Sequence, residues 1–372
     1  MKRFSKVSII VMSAVLLSGC ALFGAAKRAE IPLDLVAQGA MSESAPLRYW
    51  GDDPSFAASH TRVKPGSDGR VDFLTLSGGG INGAYGAGYL VGWSASGQRP
   101  EFEIVTGISV GAIMAPLAFL GTPYDGQLNE VYQALSDASN PKPNFLSALF
   151  GTASILDNSP IKAAIGKAVD ADVLARIAKA HRDGRRLYVG TTNLDAQRPV
   201  VWDIGAIANS SAPNRLELVR SVILASAAVP TVFEPVMLQV SSNGQDYSEM
   251  HVDGGVTQQV LLMPGGWGKV GHGSASLYVI FNGVVDAAAA TVQPSNVSLV
   301  GRAVPTLLKY LGRANLAELA NSAKSSNIFY RMTAIPGEFP ESDSLFGSRT
   351  WLAQLYDFGQ RSGRAGAWND RN

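Results

Sequence analysis

Cysteine is all but missing. Cys20 is the only one in 372 residues, so no intrachain disulfide can hold the fold. Histidine is scarce, with four in the chain. Neither sign of charge is in surplus: the formal net charge is +1 and charged residues make up 16%. That excludes the basic surface a nucleic-acid partner requires. No G-x-x-x-x-G-K-[ST] occurs, which excludes a P-loop. No His/Asp spacing suggests a Ca²⁺ or Zn²⁺ site, so neither metal nor cofactor is expected. There is no internal repeat and no low-complexity tract. Beyond the amino terminus no apolar run reads as a spanning helix. What is plentiful is glycine, with 39 residues, in a chain that is 46% hydrophobic. The length suits one large domain or two ordinary ones.

The amino terminus reads as a targeting segment. MKRFSK carries Lys2, Arg3 and Lys6, residues 7–17 are apolar and uncharged, and LSGC follows at 17–20. This is a basic region, a short apolar core and a small-residue cleavage site. LSGC resembles the bacterial lipobox, in which the cysteine is lipidated and becomes the mature terminus. Residues 1–20 are therefore expected to be a lipoprotein signal peptide, with an acyl anchor such as palmitate on Cys20. The anchor would hold the chain on a membrane without a spanning helix. Ala21 stands where an Asp retains many such lipoproteins at the inner membrane. The expected place is the bacterial cell envelope, at the outer membrane facing the periplasm. Residues 21–70, with Pro32, Pro46, Pro54 and Pro65 and little periodicity, read as a tether. A short ordered piece at 47–53 is expected within it, because Tyr49 and Trp50 are costly to leave in water.

From Val71 the pattern is regular. Strands are expected at 71–76, 101–107, 185–194, 198–204, 248–255, 276–283 and 327–335. Helices are expected at 84–93, 110–121, 215–228, 298–322 and 349–363. The opening strand–helix–strand–helix run argues a parallel sheet with right-handed crossovers, in an α/β layer fold with helices on both faces.

The loop after the first strand, SGGGINGAYGAG, supports two readings. Gly78, Gly80 and Gly83 satisfy G-x-G-x-x-G between a strand and a helix, the setting of a dinucleotide fingerprint. That reading needs an acidic side chain at the carboxyl end of the second strand, where the chain has Thr106–Gly107. Glu101 and Glu103 enter that strand at its other end. Alternatively Gly78, Gly79 and Gly80 converge backbone N–H groups on one point and form an oxyanion hole.

GISVG at 107–111 is G-x-S-x-G between a strand and a helix, which places Ser109 on a nucleophile elbow. A plain helix N-cap is the competing role. A serine needs a proton acceptor. His60 falls in the tether, His181 at a polar helix end and His272 in a glycine-rich loop. His251 shares a strand face with Asp253, with strand packing or support of Asp253 as its other roles. Asp253, in MHVDGGV, ends an apolar strand before two glycines. It is either a base beside Ser109 or the anchor of an Asx turn.

Four pieces occur in order: SGGGINGAYGAG, GISVG, ASAAVP at 225–230 and DGG at 253–255. Together they resemble the patatin-like phospholipase family over roughly residues 71–363, and LYDFGQRSG is similar to its closing helix. The resemblance implies a three-layer α/β/α fold with a mostly parallel central sheet. It further implies a domain at 71–363 with a tail at 364–372, and a lipid acyl-ester hydrolase of phospholipase A or lysophospholipase type. Ser109 would be the nucleophile and Asp253 the base, in a dyad without histidine. Gly78, Gly79 and Gly80 would hold the oxyanion, and the substrate would be a membrane lipid or another acyl ester. Where the family carries Arg or Lys after the triple glycine, this chain has Asn82, which leaves neutral acylglycerols as open as phospholipids. Transfer to an acceptor alcohol would use the same parts. The readings that compete with a hydrolase are a catalytically silent acyl-binding lipoprotein and a dinucleotide enzyme.

Overall fold

The computed structural model describes residues 28–38, 47–53, 63–138, 158–230, 232–242, 244–262, 275–342 and 347–370. The expected signal peptide, Cys20, His60 and His272 lie outside them.

A run of five parallel strands forms the middle of the sheet. β2 (Val71–Leu76) lies between β3 (Ile104–Ile108) and β8 (Ala275–Val284); β4 (Arg186–Asn193) flanks β3 and β9 (Phe329–Ile335) flanks β8. Every residue of β2 is buried, as expected of a strand covered on both faces. Its alternation sorts the core. Leu74 and Leu76 face one cluster with Val105, Leu187 and Val189, while Val71 and Phe73 face another with Ile104 and Val279. The fold is thus α/β with a mostly parallel central sheet between helical layers.

Antiparallel strands extend both sides. β5 (Arg198–Asp203) pairs with β4, and β1 (Arg48–Trp50) with β5. β1 is the ordered piece expected around Tyr49 and Trp50, so part of the stretch read as a tether is an edge strand of this sheet. At the other side β10 (Asn369–Asp370), in the stretch read as a tail, pairs with β9. β6 (Val236–Ser242) and β7 (Gln245–Asp253) form a hairpin. The sequence pattern did not show β6.

Helix α1 (Leu33–Gln38) precedes the sheet. α2 (Gly83–Ala95) and α3 (Val110–Leu120) begin directly after the two loops of interest. α4 (Asp125–Ala138), α5 (Ser159–Ala168), α6 (Ala171–Arg182) and α7 (Ile204–Asn209) come next, then α8 (Arg215–Ser226), α9 (Asn296–Ser325) and α10 (Arg349–Arg364). α2 is glycine-rich because it lies against α10 backbone to backbone. A Cβ on Gly88 or Gly92 would strike the carbonyls of Tyr356 and Gln360, and one on Gly359 or Gly363 those of Tyr85 and Tyr89.

Candidate active site

β4 brings two distant segments together. β3 runs parallel to it and ends with Ile108 opposite Gly190. β7 runs antiparallel along the same edge of β4, beyond β3, and ends with Asp253 opposite Thr191. The carboxyl ends of β3 and β7 therefore meet at adjacent residues of one ruler strand. The Ser109 hydroxyl donates to Asp253 Oδ2 at 2.6 Å, across 144 positions of sequence.

The Ser109 turn is held in a strained conformation, φ 56° and ψ −125°. Close packing demands it. A Cβ on Gly107 would lie 2.5 Å from the Gly111 carbonyl oxygen, and one on Gly111 would run into that of Leu76. Both glycines of G-x-S-x-G are thus needed to bring the helix onto the strand. Ser109 precedes α3 at the N-cap position, yet its side chain makes no capping bond. Its hydroxyl serves Asp253 instead, so the N-cap role is not the one it plays. The amino end of α3 points its unpaired N–H groups towards this turn.

The ASAAVP motif braces both partners. Ser226 Oγ accepts the Ser109 N–H at 2.9 Å and donates to the Gly190 carbonyl at 2.6 Å. Two residues on, the Ala228 carbonyl accepts the Asp253 N–H at 2.9 Å. Asp253 Oδ1 accepts the Gly255 N–H at 2.6 Å, so the Asx turn forms as well. Its two oxygens are divided between turn and serine. Burial pushes the Asp253 carboxyl up to about 6, against the opposing hydrogen bonds from Ser109 and Gly255.

The three glycines are not equivalent. The Gly78 N–H donates to the Gln259 carbonyl at 3.0 Å, so it is already engaged and does not fit the expected role of an oxyanion donor. Gly79 and Gly80 have φ of 149° and 55°, conformations that glycine alone adopts readily. Neither of their N–H groups donates a loop or turn backbone bond among the described residues. A Cβ on Gly79 would run into the Asn282 carbonyl, whereas Gly80 borders open space. Asn282 fastens the loop: its N–H donates to Ser77 Oγ at 2.7 Å and its side-chain amide to the Ser77 carbonyl at 2.9 Å. Sequence reasoning missed Asn282 and Gln259. The one available signal for Asn282 was an Asn-Gly pair closing an apolar strand.

Among the described residues, the two histidines stand apart from this pair. His251 is wholly buried, with Nδ1 on Thr191 Oγ1 at 2.9 Å and Nε2 on Glu249 Oε2 at 3.1 Å. Both ring nitrogens are occupied away from Ser109 and Asp253, which makes packing its role. Burial pushes its pKa down and keeps it neutral. Burial alone would raise Glu249, but hydrogen bonds from His251 and Arg48 overcome that and hold it at about 2. His251 Nε2–H therefore donates to Glu249, and Nδ1 accepts from Thr191. Thr191 in turn accepts the Trp202 indole N–H at 2.9 Å. His181 lies 3.6 Å from Asp203, on α6. Glu103 accepts the Asp72 N–H at the amino end of the sheet, far from where a ribose carboxylate belongs.

The family model for patatin-like phospholipase matches residues 74–264, just over half of the 372 residues. The chain belongs to the patatin-like phospholipase family. The match begins in β2 and ends just past β7, enclosing the glycine loop, the Ser109 elbow, the ASAAVP brace and Asp253. This membership indicates a lipid acyl hydrolase in general terms. A comparison with curated proteins gives no match. Among solved structures, one similar chain is the crystal structure of VipD from Legionella pneumophila. It shares 11% sequence identity at a TM-score of 0.35, covering 83% of this chain and 70% of that one.

Proposed function

We propose that this patatin-like protein hydrolyses lipid acyl esters with Ser109 as nucleophile and Asp253 as general base. The observation that carries the reading is the 2.6 Å hydrogen bond between Ser109 Oγ and Asp253 Oδ2 at the meeting of β3 and β7. Ser109 Oγ attacks the ester carbonyl carbon while its proton passes to Oδ2. The carbonyl oxygen, now an anion, is held by the N–H groups of Gly79 and Gly80 and by the amino end of α3. Collapse breaks the ester C–O bond, and Asp253 returns the proton to the leaving alkoxide. Water, deprotonated by the same carboxylate, then attacks the acyl-Ser109 ester. It releases the fatty acid and restores the hydroxyl. A carboxylate of ordinary pKa is a poor base, and its upward shift supports this role.

Asn82 stands at the amino end of α2 without a capping bond and brings no charge to the loop. That supports an acyl ester without a phosphate requirement, phospholipase A-type substrates included. The LSGC segment supports an acyl anchor on Cys20 and a place in the bacterial cell envelope, and Ala21 after it supports the outer membrane. The test is intact-mass detection of a fluorophosphonate adduct. One adduct is expected on the wild type and none on Ser109→Ala. An adduct that persists in Ser109→Ala overturns the assignment.

A further inference from the structure

Gln259 ties three parts of the site together. Its backbone N–H donates to Asn315 Oδ1 of α9 at 2.9 Å, and its carbonyl accepts the Gly78 N–H at 3.0 Å. Its side-chain Nε2 donates to the Gly255 carbonyl at 2.8 Å. That last bond fixes which way the amide faces, because a flipped amide would set Oε1 against another acceptor. Oε1 instead faces the glycine loop. A Cβ on Gly78 would lie 3.3 Å from the Ser109 Cβ and 3.4 Å from Gln259 Oε1, so an atom standing over Gly78 would touch both side chains. A Cβ on Gly255 would lie 2.9 Å from both Asp253 Oδ1 and Gln259 Nε2. The amide thus runs alongside both members of the dyad. Among the described residues, nothing donates to Oε1.

This open acceptor matters in the second half of the reaction. Once Ser109 is acylated, its hydroxyl no longer occupies Asp253 Oδ2. The nucleophile that replaces it must give Oδ2 a proton and turn a lone pair to the acyl carbon. An alcohol has one O–H, and Oδ2 takes it. Water has two, and the second needs an acceptor of its own if the molecule is to be held in one orientation. The neighbouring acceptors are already engaged. The Gly78 carbonyl takes the Ser77 hydroxyl, the Gly190 carbonyl that of Ser226, the Gly255 carbonyl the Gln259 amide, and Asp253 Oδ1 the Gly255 N–H. Gln259 Oε1, beside Ser109, is open.

We infer that Gln259 positions the water that hydrolyses acyl-Ser109, and so favours hydrolysis over transfer to an alcohol. The inference rests on the Ser109–Asp253 reading above. One water O–H goes to Asp253 Oδ2 and the other to Gln259 Oε1. The water oxygen bonds the acyl carbon while its first proton moves to Oδ2. On collapse the C–O bond to Ser109 breaks and that proton returns to Oγ; the second proton leaves on the carboxylic acid. The test is the partition of one acyl-enzyme. The full chain, as wild type, Gln259→Met, Gln259→Leu and Gln259→Glu, is given p-nitrophenyl butyrate in buffer containing methanol, and methyl butyrate and butyrate are quantified. Met and Leu offer no acceptor and should raise the ester-to-acid ratio about ten- to a hundredfold, the cost of a misplaced water. Glu keeps an oxygen in that place and should leave the ratio near that of the wild type. A merely structural role would slow both products alike and leave their ratio unchanged. An unchanged ratio in the Met and Leu variants, or the same rise in Gln259→Glu, overturns the inference. A wild type that forms no acyl-Ser109 by intact mass sinks the hydrolase reading and this inference with it. An acyl-Ser109 that partitions alike in all four proteins sinks this inference alone.

Discussion

Replacing Asp253 by Asn separates the two consequences of burying that carboxylate. Burial lifts its pKa from the ordinary 3.8 to about 6. The folded chain therefore binds the proton more tightly than the unfolded one. The native state is at no disadvantage below about pH 4, and stability is lost as pH rises through about 6. At 1.36 kcal/mol per unit the penalty above pH 6 approaches about 3 kcal/mol. Asn carries no such penalty, and it can keep both contacts: Oδ1 takes the Gly255 N–H while Nδ2 donates to a rotated Ser109 hydroxyl. Asp253→Asn should thus raise the melting temperature at pH 8 by roughly 3–4 °C, at about 1 °C per kcal/mol for a chain of this size. At pH 4 it should leave the melting temperature unchanged. The same variant loses the proton acceptor, so kcat on p-nitrophenyl butyrate should fall about a hundred- to ten-thousand-fold. In the wild type kcat/KM should climb through about pH 6 and level off above. Calorimetry at the two pH values and a stopped assay give both numbers. A melting shift of equal size at pH 4 and pH 8 would refute the buried-charge argument, and retained turnover would refute the base.

Ser226→Ala strips the Ser109 N–H of its acceptor and the Gly190 carbonyl of its donor, both buried. About 1–3 kcal/mol of stability should go per unpaired group, and fluorophosphonate labelling of Ser109 should slow at least tenfold, read by timed intact-mass spectra. Arg48→Met leaves Glu249 as an unpaired charge inside the protein, since the two side chains are nearly fully buried and 2.5 Å apart. It should cost about 3–5 kcal/mol in urea titration, and adding Glu249→Gln should recover most of it. Equal losses in the single and double variants would show that the orphaned charge is not the cause.

The glycine loop and the serine elbow were legible because their determinants are local. β2 came out at the residues its apolar run marked, 71–76, and the elbow needs only a strand, two glycines and a helix. Segments 125–138 and 159–168 fold as α4 and α5 but were not read as helices from the chain, and α6 was read only as a polar helix end around His181. β6 was equally silent, since its partner is β7 and its pattern carries little by itself. α9 lay where a helix was expected, but that it is held through Asn315, Leu316, Leu319 and Ala323 is settled by tertiary packing.

Local sequence, then, determined that Ser109 would sit strained on a turn between strand and helix, because backbone sterics act over a few residues. It also marked Asp253 as a carboxylate at a strand end, with turn and base both open. Tertiary structure alone decided that the two meet. Their contact depends on β4 pairing with β3 along the lower part of one edge and with β7 along the upper part. Hydrogen-bond register between strands is a long-range property that no single segment encodes. The same register turned Ser226 from a residue of a helix end into the brace of the elbow, and left His251 sealed behind Thr191 and Glu249 rather than beside the serine.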